Sequence, residues 1–481
     1  MGFPPFAPLQ KTNDMRPSTR RSLSPITGVR RAGALPLPPE QSWHDYAVFL
    51  LHVAAEIEHS LMVQYLYAAY SLGGASTDSK WHEAARQWRE VILGIAKEEM
   101  GHLITVQNII RLIGGPLHLD REDYPYRSGF YPFPFALEPL TKNSLAKYVV
   151  AESPKEWQAS PAAKEIMDRA AKADDGRQII PVGRLYEEMI QVFENHGALT
   201  DDDFRDDVGP YEATWDEWGR GYGGDRGRGE RGNLGDQAVP PDVLVIRTTD
   251  RASALEALRR IARQGEAPEV EDGGEPGTGS HFHRFLKIYE AFPDRNPPSR
   301  NIPTNPTADE SDGGADDDKK RGPMSCARIT NPRALGWAHL FNIRYRKLLY
   351  TLKHAFHVAP GDAVNRPTAR GNLIAWTFGE MYNLRSIAAI LVTLPLKQDG
   401  GGELAGPPFE LPYSLTLPDW DSDKWRVHRD LIAASANVIH SLDVGGEAHH
   451  DYLRALRDHD KLDDQIVARL FQAARDAEGN A

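Results

Sequence analysis

In the segment IAKEEMGHLITVQNIIRLI, Glu99 and His102 stand three residues apart. That is close to one helical turn, so both side chains leave the same side of a helix and can meet at one ion. They also interrupt an apolar stripe that runs Ile92, Ile95/Ala96, Glu99, His102/Leu103, Val106, Ile110, Ile113. A carboxylate on a buried face is costly unless something compensates it. The neighbouring Glu98 is rotated by about 100° and is expected in solvent. A surface pair, or a core histidine satisfied by a carbonyl, has the same Glu-x-x-His spelling. The surrounding stripe is what sets this pair apart.

A second acid, Glu58, breaks the stripe Ala54/Ala55, Met62, Tyr65, Ala69. Tyr65 lies two turns further along that face, placed to line a pocket or relay an electron, and is the candidate catalytic side chain. His52, Glu56 and His59 share another face and form a rival ligand set. PVGRLYEEMIQVF offers Glu187 and Glu188, with Glu188 nearer the face of Leu185, Met189 and Val192. Glu266 and His281 bracket a polar break, EAPEVEDGGEPGTG, where an unbroken motif would keep them three apart. Glu58, Glu99, His102, Glu188, Glu266 and His281 together give a Glu on each of two helices and a Glu plus a His on each of two others. That is the count of a dinuclear carboxylate site. Nitrogen and oxygen donors suit iron, with manganese as the alternative. The single cysteine, Cys326, excludes thiolate zinc and iron–sulfur sites and an internal disulfide, and fits a reducing cytoplasm.

Four helical segments must position these groups. The first starts at Ser42-Trp43-His44-Asp45 and stops at Gly73-Gly74. The second runs from near Ser79 to Gly114-Gly115-Pro116. The third opens at Pro181, a favoured first-turn proline. The fourth starts near Thr249-Asp250 and resumes at SHFHRF after the polar break. A short helix is expected over 143–151, and VLVIR (243–247) reads as extended. Residues 1–40 read as a disordered tail, 216–240 as a flexible insertion in a bundle covering 41–293, 294–329 as a linker, and 330–481 as a further helical region. The fold class expected is all-α. Acidic residues (68) outnumber Lys plus Arg (56), which argues against nucleic acid as a partner. No uninterrupted apolar run reaches the roughly 18 residues of a membrane span, so no membrane partner is expected.

The strings LLHVAAEIEHSLMVQYLYAAYSL, IAKEEMGHLITVQNIIRLIGGP, PVGRLYEEMI and RQGE…SHFHRF, with FNIRYRKLLYTLKHAF and FGEMYNLRSIAAILVTLPL beyond them, resemble the ferritin-like domain of iminophenyl-pyruvate dimer synthases. The resemblance covers most of residues 45–415. It implies a ferritin-like four-helix bundle with an additional C-terminal helical layer, and Glu58, Glu99, His102, Glu266 and His281 at metal-binding positions. Arg184 stands where members often carry an acid two residues before the tyrosine, and Glu188 is carried over in its place. The expected function is a dinuclear, di-iron oxidase or oxygenase using O2 or peroxide. Its substrate would be a small amine- or imine-bearing, amino-acid-derived metabolite, and a homodimer is one option for assembly. A metal-storage or peroxide-disposing protein and a metal-free helical scaffold are the alternatives.

Overall fold

The computed structural model of this protein describes residues 37–38, 40–74, 77–121, 131–218, 243–266, 279–309, 326–359, 368–444 and 448–479. Most of the expected tail at 1–40 and of the expected insertion at 216–240 lies outside them, as does the polar break at 267–278.

Two long helices carry the acids that interrupt the apolar stripes. Helix α1, Trp43–Ser71, is capped by Ser42, whose hydroxyl accepts from the Asp45 amide. Helix α2, His82–Leu112, turns back along it: His44 Nε2 donates to the Ile113 carbonyl, so the start of one helix meets the end of the other. By length and composition α1 could cross a bilayer, but 72% of its most apolar window is buried inside the protein. Its apolar character is that of a core helix.

Around this pair stand α3, Lys142–Ala151, α4, Ala163–Ala173, α5, Gly183–Glu194, α6, Arg251–Glu266, and α7, His281–Ala291. Helix α5 packs on α1 and on α6, whereas α7 packs on α3 and reaches α2 and α6. The fourth helical position of the bundle is therefore split between α6 and α7. The extended segment 243–247 crosses α2 at Gly101, where a Cβ would lie 2.8 Å from the Leu244 amide nitrogen. Thr105 donates to the Leu244 carbonyl (2.8 Å), and Asn108 donates to that of Ile246 (2.9 Å). This strap fixes where α6 begins.

The second half is a further layer of α8, Pro332–Ala355, α9, Ala369–Leu391, α10, Asp421–Val444, and α11, His450–Gly479. Arg344 and Lys347 are buried there among Glu380, Asp460 and Asp463. One hydrophobic core joins the halves, running from Val63 and Tyr67 of α1 through Phe135 and Leu137 to Trp337, Phe341 and Leu384. Of the expected linker at 294–329, residues 310–325 lie outside the described residues, and the rest meets the same core. Its described residues pack: Ile302, Ala308, Ala327 and Ile329 are buried, and β1, Pro306–Thr307, pairs in parallel with β2, Ala327–Arg328. The segment's overall polarity concealed these few apolar anchors.

Gly101→Ala must push the strap off α2, because the obstruction is backbone. It should cost about 1–3 kcal/mol, read as a lowered midpoint in chemical denaturation with the helical circular dichroism signal retained.

Candidate metal centre

Helices α1 and α2 bring Glu58, Glu99 and His102 together, and α7 adds His281 from its first residue. All four are at most 2% exposed. His102 Nδ1 lies 2.8 Å from Glu99 Oε2 and 3.2 Å from Glu58 Oε2. His281 Nδ1 lies 3.0 Å from Glu99 Oε1 and 3.7 Å from Glu152 Oε2. Ligand atoms of Glu99, His102 and His281 all fall within 4.8 Å of one another. They border a cavity with about 20 Å³ of room, also lined by Glu58, Glu152 and Tyr186. That is space for about one water molecule or ion. Among the described residues, no Lys or Arg side chain lines it.

The two histidines are oriented alike. His102 Nε2 is 2.8 Å from Gln264 Oε1, and His281 Nε2 is 2.9 Å from Glu98 Oε2. A partner that accepts at Nε2 places the proton there and leaves the Nδ1 lone pair facing the carboxylates. Glu98 is kept ionised for this. Burial pushes it up, but the Arg284 guanidinium and His281 outweigh that and hold it below the usual range. The tyrosines act on the other carboxylates. Tyr186 donates to Glu58 Oε1, and Tyr65 donates to Glu152 Oε1 at 2.5 Å. Burial raises both phenols well above their ordinary value, so both remain donors.

The empty-handed atoms decide whether the residues fit a metal. Glu99 Oε1 and His281 Nδ1 are buried and 3.0 Å apart, yet neither has a hydrogen-bond partner of acceptable geometry. Unpaired polar atoms in an apolar interior are costly. A divalent cation between them removes that cost, so the donor set fits one. The proton inventory points the same way. Burial pushes Glu58 up to about 7, with the charge of Glu99 adding to it, and also raises Glu152. Burial opposes charge on His102, but Glu58 and Glu99 outweigh it and raise it to about 10. His281 is likewise raised, chiefly by Glu99. Without a cation, the site balances its acids with protons.

Not every expected ligand is in this cluster. Glu188 is half-buried and accepts the Tyr46 hydroxyl instead. The inward face of α5 is set by Tyr186, Met189, Val192 and Phe193, which puts Glu188 to one side. Glu266 is the last residue of α6, and its side chain lies outside the described residues. Glu98 is not in solvent as its helical phase suggested; it is 9% exposed, because α7 packs over it and brings Arg284. Of the rival set, His52 stacks on His118, Glu56 pairs with His118 at 2.7 Å, and His59 is bonded to the Leu119 carbonyl and Tyr345. Each is thus taken by another partner, and among the described residues only Glu99, His102 and His281 bring three ligand atoms close enough for one ion. Glu152, Tyr186 and Gln264 were not singled out from the sequence. Glu152 had one usable signal, an acid closing the apolar run of α3.

Residues 51–290 match a family model described as Ferritin-like. Dichlorochromopyrrolate synthase of Lentzea aerocolonigenes is 25% identical over 387 residues, 74% of this chain and 35% of that protein. The 2-imino-3-(indol-3-yl)propanoate dimerase of Chromobacterium violaceum is 26% identical over 393 residues, 75% and 33% of the two chains. The chain therefore spans about a third of the length of these curated relatives. A solved ferritin like protein from Caulobacter vibrioides aligns over 72% of this chain and 96% of its own, at 17% identity and a TM-score of 0.42.

Three measurements check this centre. Glu99→Ala should abolish bound metal by elemental analysis. Glu98→Ala, which frees the His281 ring, should weaken metal affinity by about 10–100-fold. Because Glu58, His102 and His281 are raised, protons must leave when they become ligands. Apparent affinity should therefore rise with pH through 7. Calorimetry in two buffers of different ionisation enthalpy should report net proton release; zero release would contradict this arrangement.

Proposed function

Since residues 51–290 belong to the ferritin-like family, we propose that this protein is a dinuclear-metal oxidase or oxygenase, with iron as the metal and manganese as the alternative. Its substrate in this reading is a small amine- or imine-bearing, amino-acid-derived metabolite of natural-product biosynthesis, consumed with O2 or peroxide in the cytoplasm. The observation that carries the metal reading is the pair of buried ligand atoms without a hydrogen bond, Glu99 Oε1 and His281 Nδ1, 3.0 Å apart beside a cavity that no Lys or Arg among the described residues lines. The relatives' printed activities, a chromopyrrolate synthase and an imine dimerase, support the substrate class.

Glu58, Glu99, Glu152, His102 and His281 would hold the ions. When bound, such a centre supplies Lewis acidity and one-electron steps with dioxygen. The remaining residues set the conditions. Gln264 and Glu98 hold the two imidazoles with Nδ1 inward. Tyr186 and Tyr65 each tie down one carboxylate oxygen of Glu58 and Glu152, leaving the other for a ligand bond. Tyr65 does not border the cavity itself, although its place on α1 had suggested it, and in this reading it acts as a buried phenol through Glu152. Leu61, Val182 and Ile261 exclude bulk water, while Gly183, Ala262 and Gly265 keep the wall between α5 and α6 thin. The present cavity admits a molecule the size of water or dioxygen, so a metabolite must approach through that wall.

Iron-loaded protein should consume O2 faster when an α-imino or α-amino acid is added, and chelated protein should not. Metal retention with substrate-independent uptake of many ions per chain would favour storage, and a purified protein that takes up no metal would favour the scaffold. Tyr65→Phe should retain metal and lose at least tenfold in substrate-dependent oxygen uptake, whereas Glu99→Ala should lose both.

A further inference from the structure

A second cavity, of about 380 Å³, lies where the loop at Tyr211 meets the ends of α8, α10 and α11. None of its lining residues belongs to the metal centre. Its volume is in the range of sites that enclose small organic ligands. One wall is apolar, from Leu470, Ala473 and Ala474 of α11, and Trp425 and Tyr211 add aromatic faces. Two histidines, His354 and His357, and the ion pair of Lys424 with Asp421 also line it.

The histidines present opposite polarities. His357 Nδ1 donates to the Lys353 carbonyl at 2.9 Å, since a carbonyl can only accept, so its Nε2 is a lone pair. His354 Nδ1 is 3.0 Å from Nε2 of His428. His428 is 1% exposed, and its Nδ1 has no partner. An orphaned buried N–H is rarer than an orphaned acceptor. His428 therefore keeps its proton on Nε2 and donates it to His354. His354 must then carry its own proton on Nε2, the nitrogen left for the cavity, where no group among the described residues takes it. Burial lowers His354 to about 3 and holds His428 well below its ordinary value, so both rings stay neutral. Lys424 adds a cation whose side chain is 15% exposed. Its pairing with Asp421 at 2.7 Å takes one of its three N–H groups, and Asp421, which borders the same cavity, is 71% exposed, so water screens its charge.

We propose that this cavity is a second small-molecule site, for a planar aromatic carboxylate that also carries an N–H donor. The carboxylate accepts from His354 Nε2–H and the Lys424 ammonium. The ring lies between Trp425 and the apolar wall of α11, and its N–H donates to His357 Nε2. The site binds; it has no role in the metal chemistry and does not depend on the function proposed above.

The probe is indole-3-acetate, titrated into metal-free protein by calorimetry and by tryptophan fluorescence. One site per chain is expected, with quenching of the Trp425 emission. 3-Methylindole, which lacks the carboxylate, should bind at least tenfold more weakly. Lys424→Met, which keeps the stem and removes the charge, should weaken indole-3-acetate about tenfold. Ala474→Phe, which fills the cavity from its apolar wall, should abolish binding while the thermal melt stays near that of the wild type. Glu99→Gln should leave binding unchanged. No binding to the wild type, equal affinity for 3-methylindole, unaltered affinity in Lys424→Met, or loss of binding in Glu99→Gln would each overturn the proposal.

Discussion

Three carboxylates buried in an apolar helical interior, with no Lys or Arg among the described residues lining their cavity, are the constraint on which the rest of the first half depends. Glu58, Glu99 and Glu152 cannot all be ionised there without a counter-charge. In the metal-free chain that charge is supplied by protons, on Glu58 near neutral pH and on two histidines raised by their acidic neighbours. Such a cluster is poorly stabilised as it stands, and a cation relieves it. Stability and metal binding are therefore linked through the same few groups.

The supporting residues follow from that requirement. Each imidazole has one nitrogen pinned by an acceptor, Gln264 or Glu98, so the other must face the acids. Glu98 in turn needs Arg284 to remain an acceptor in a buried position. This chain of dependencies runs from α6 and α7 into α2. Helix α6 is in register only because the strap at 243–247 crosses α2 at a residue without a side chain. A backbone contact at Gly101 thus helps to place a hydrogen bond on the adjacent His102.

The second helical layer is built into the same core. Tyr345 of α8 and Arg121 reach the flank of α1: the tyrosine hydroxyl lies 2.6 Å from His59 Nε2, one residue from Glu58. Arg111 of α2 donates to the Phe356 carbonyl, and Arg370 of α9 pairs with Glu217. Buried polar contacts of this kind fix one register between packed layers more sharply than apolar packing does. The layer braces α1 from behind while leaving its own cavity at the far end of α8.

The helices themselves were legible in the residues, because the three-and-four periodicity of Glu99, His102 and Glu58 within apolar stripes is a local property of each segment. Glycine and proline stops marked the ends of α1 and α2 for the same reason. What no stripe could reveal is which segment covers which. Glu98 looked solvated from its phase on α2, and it is buried because α7, 180 residues further on, brings Arg284 and His281 across it. Glu188 was chosen as the acid nearer the face of Leu185, Met189 and Val192, yet that helix turns Tyr186 inward and leaves Glu188 to Tyr46. Glu152 closes a short helix with no motif around it, and it meets His281 only because α3 and α7 pack together. The sequence by itself determined the helical class and the strongest two-residue signal, through local spacing. The tertiary structure alone decided the remaining contacts, because burial and partnership are set by residues far away in the chain.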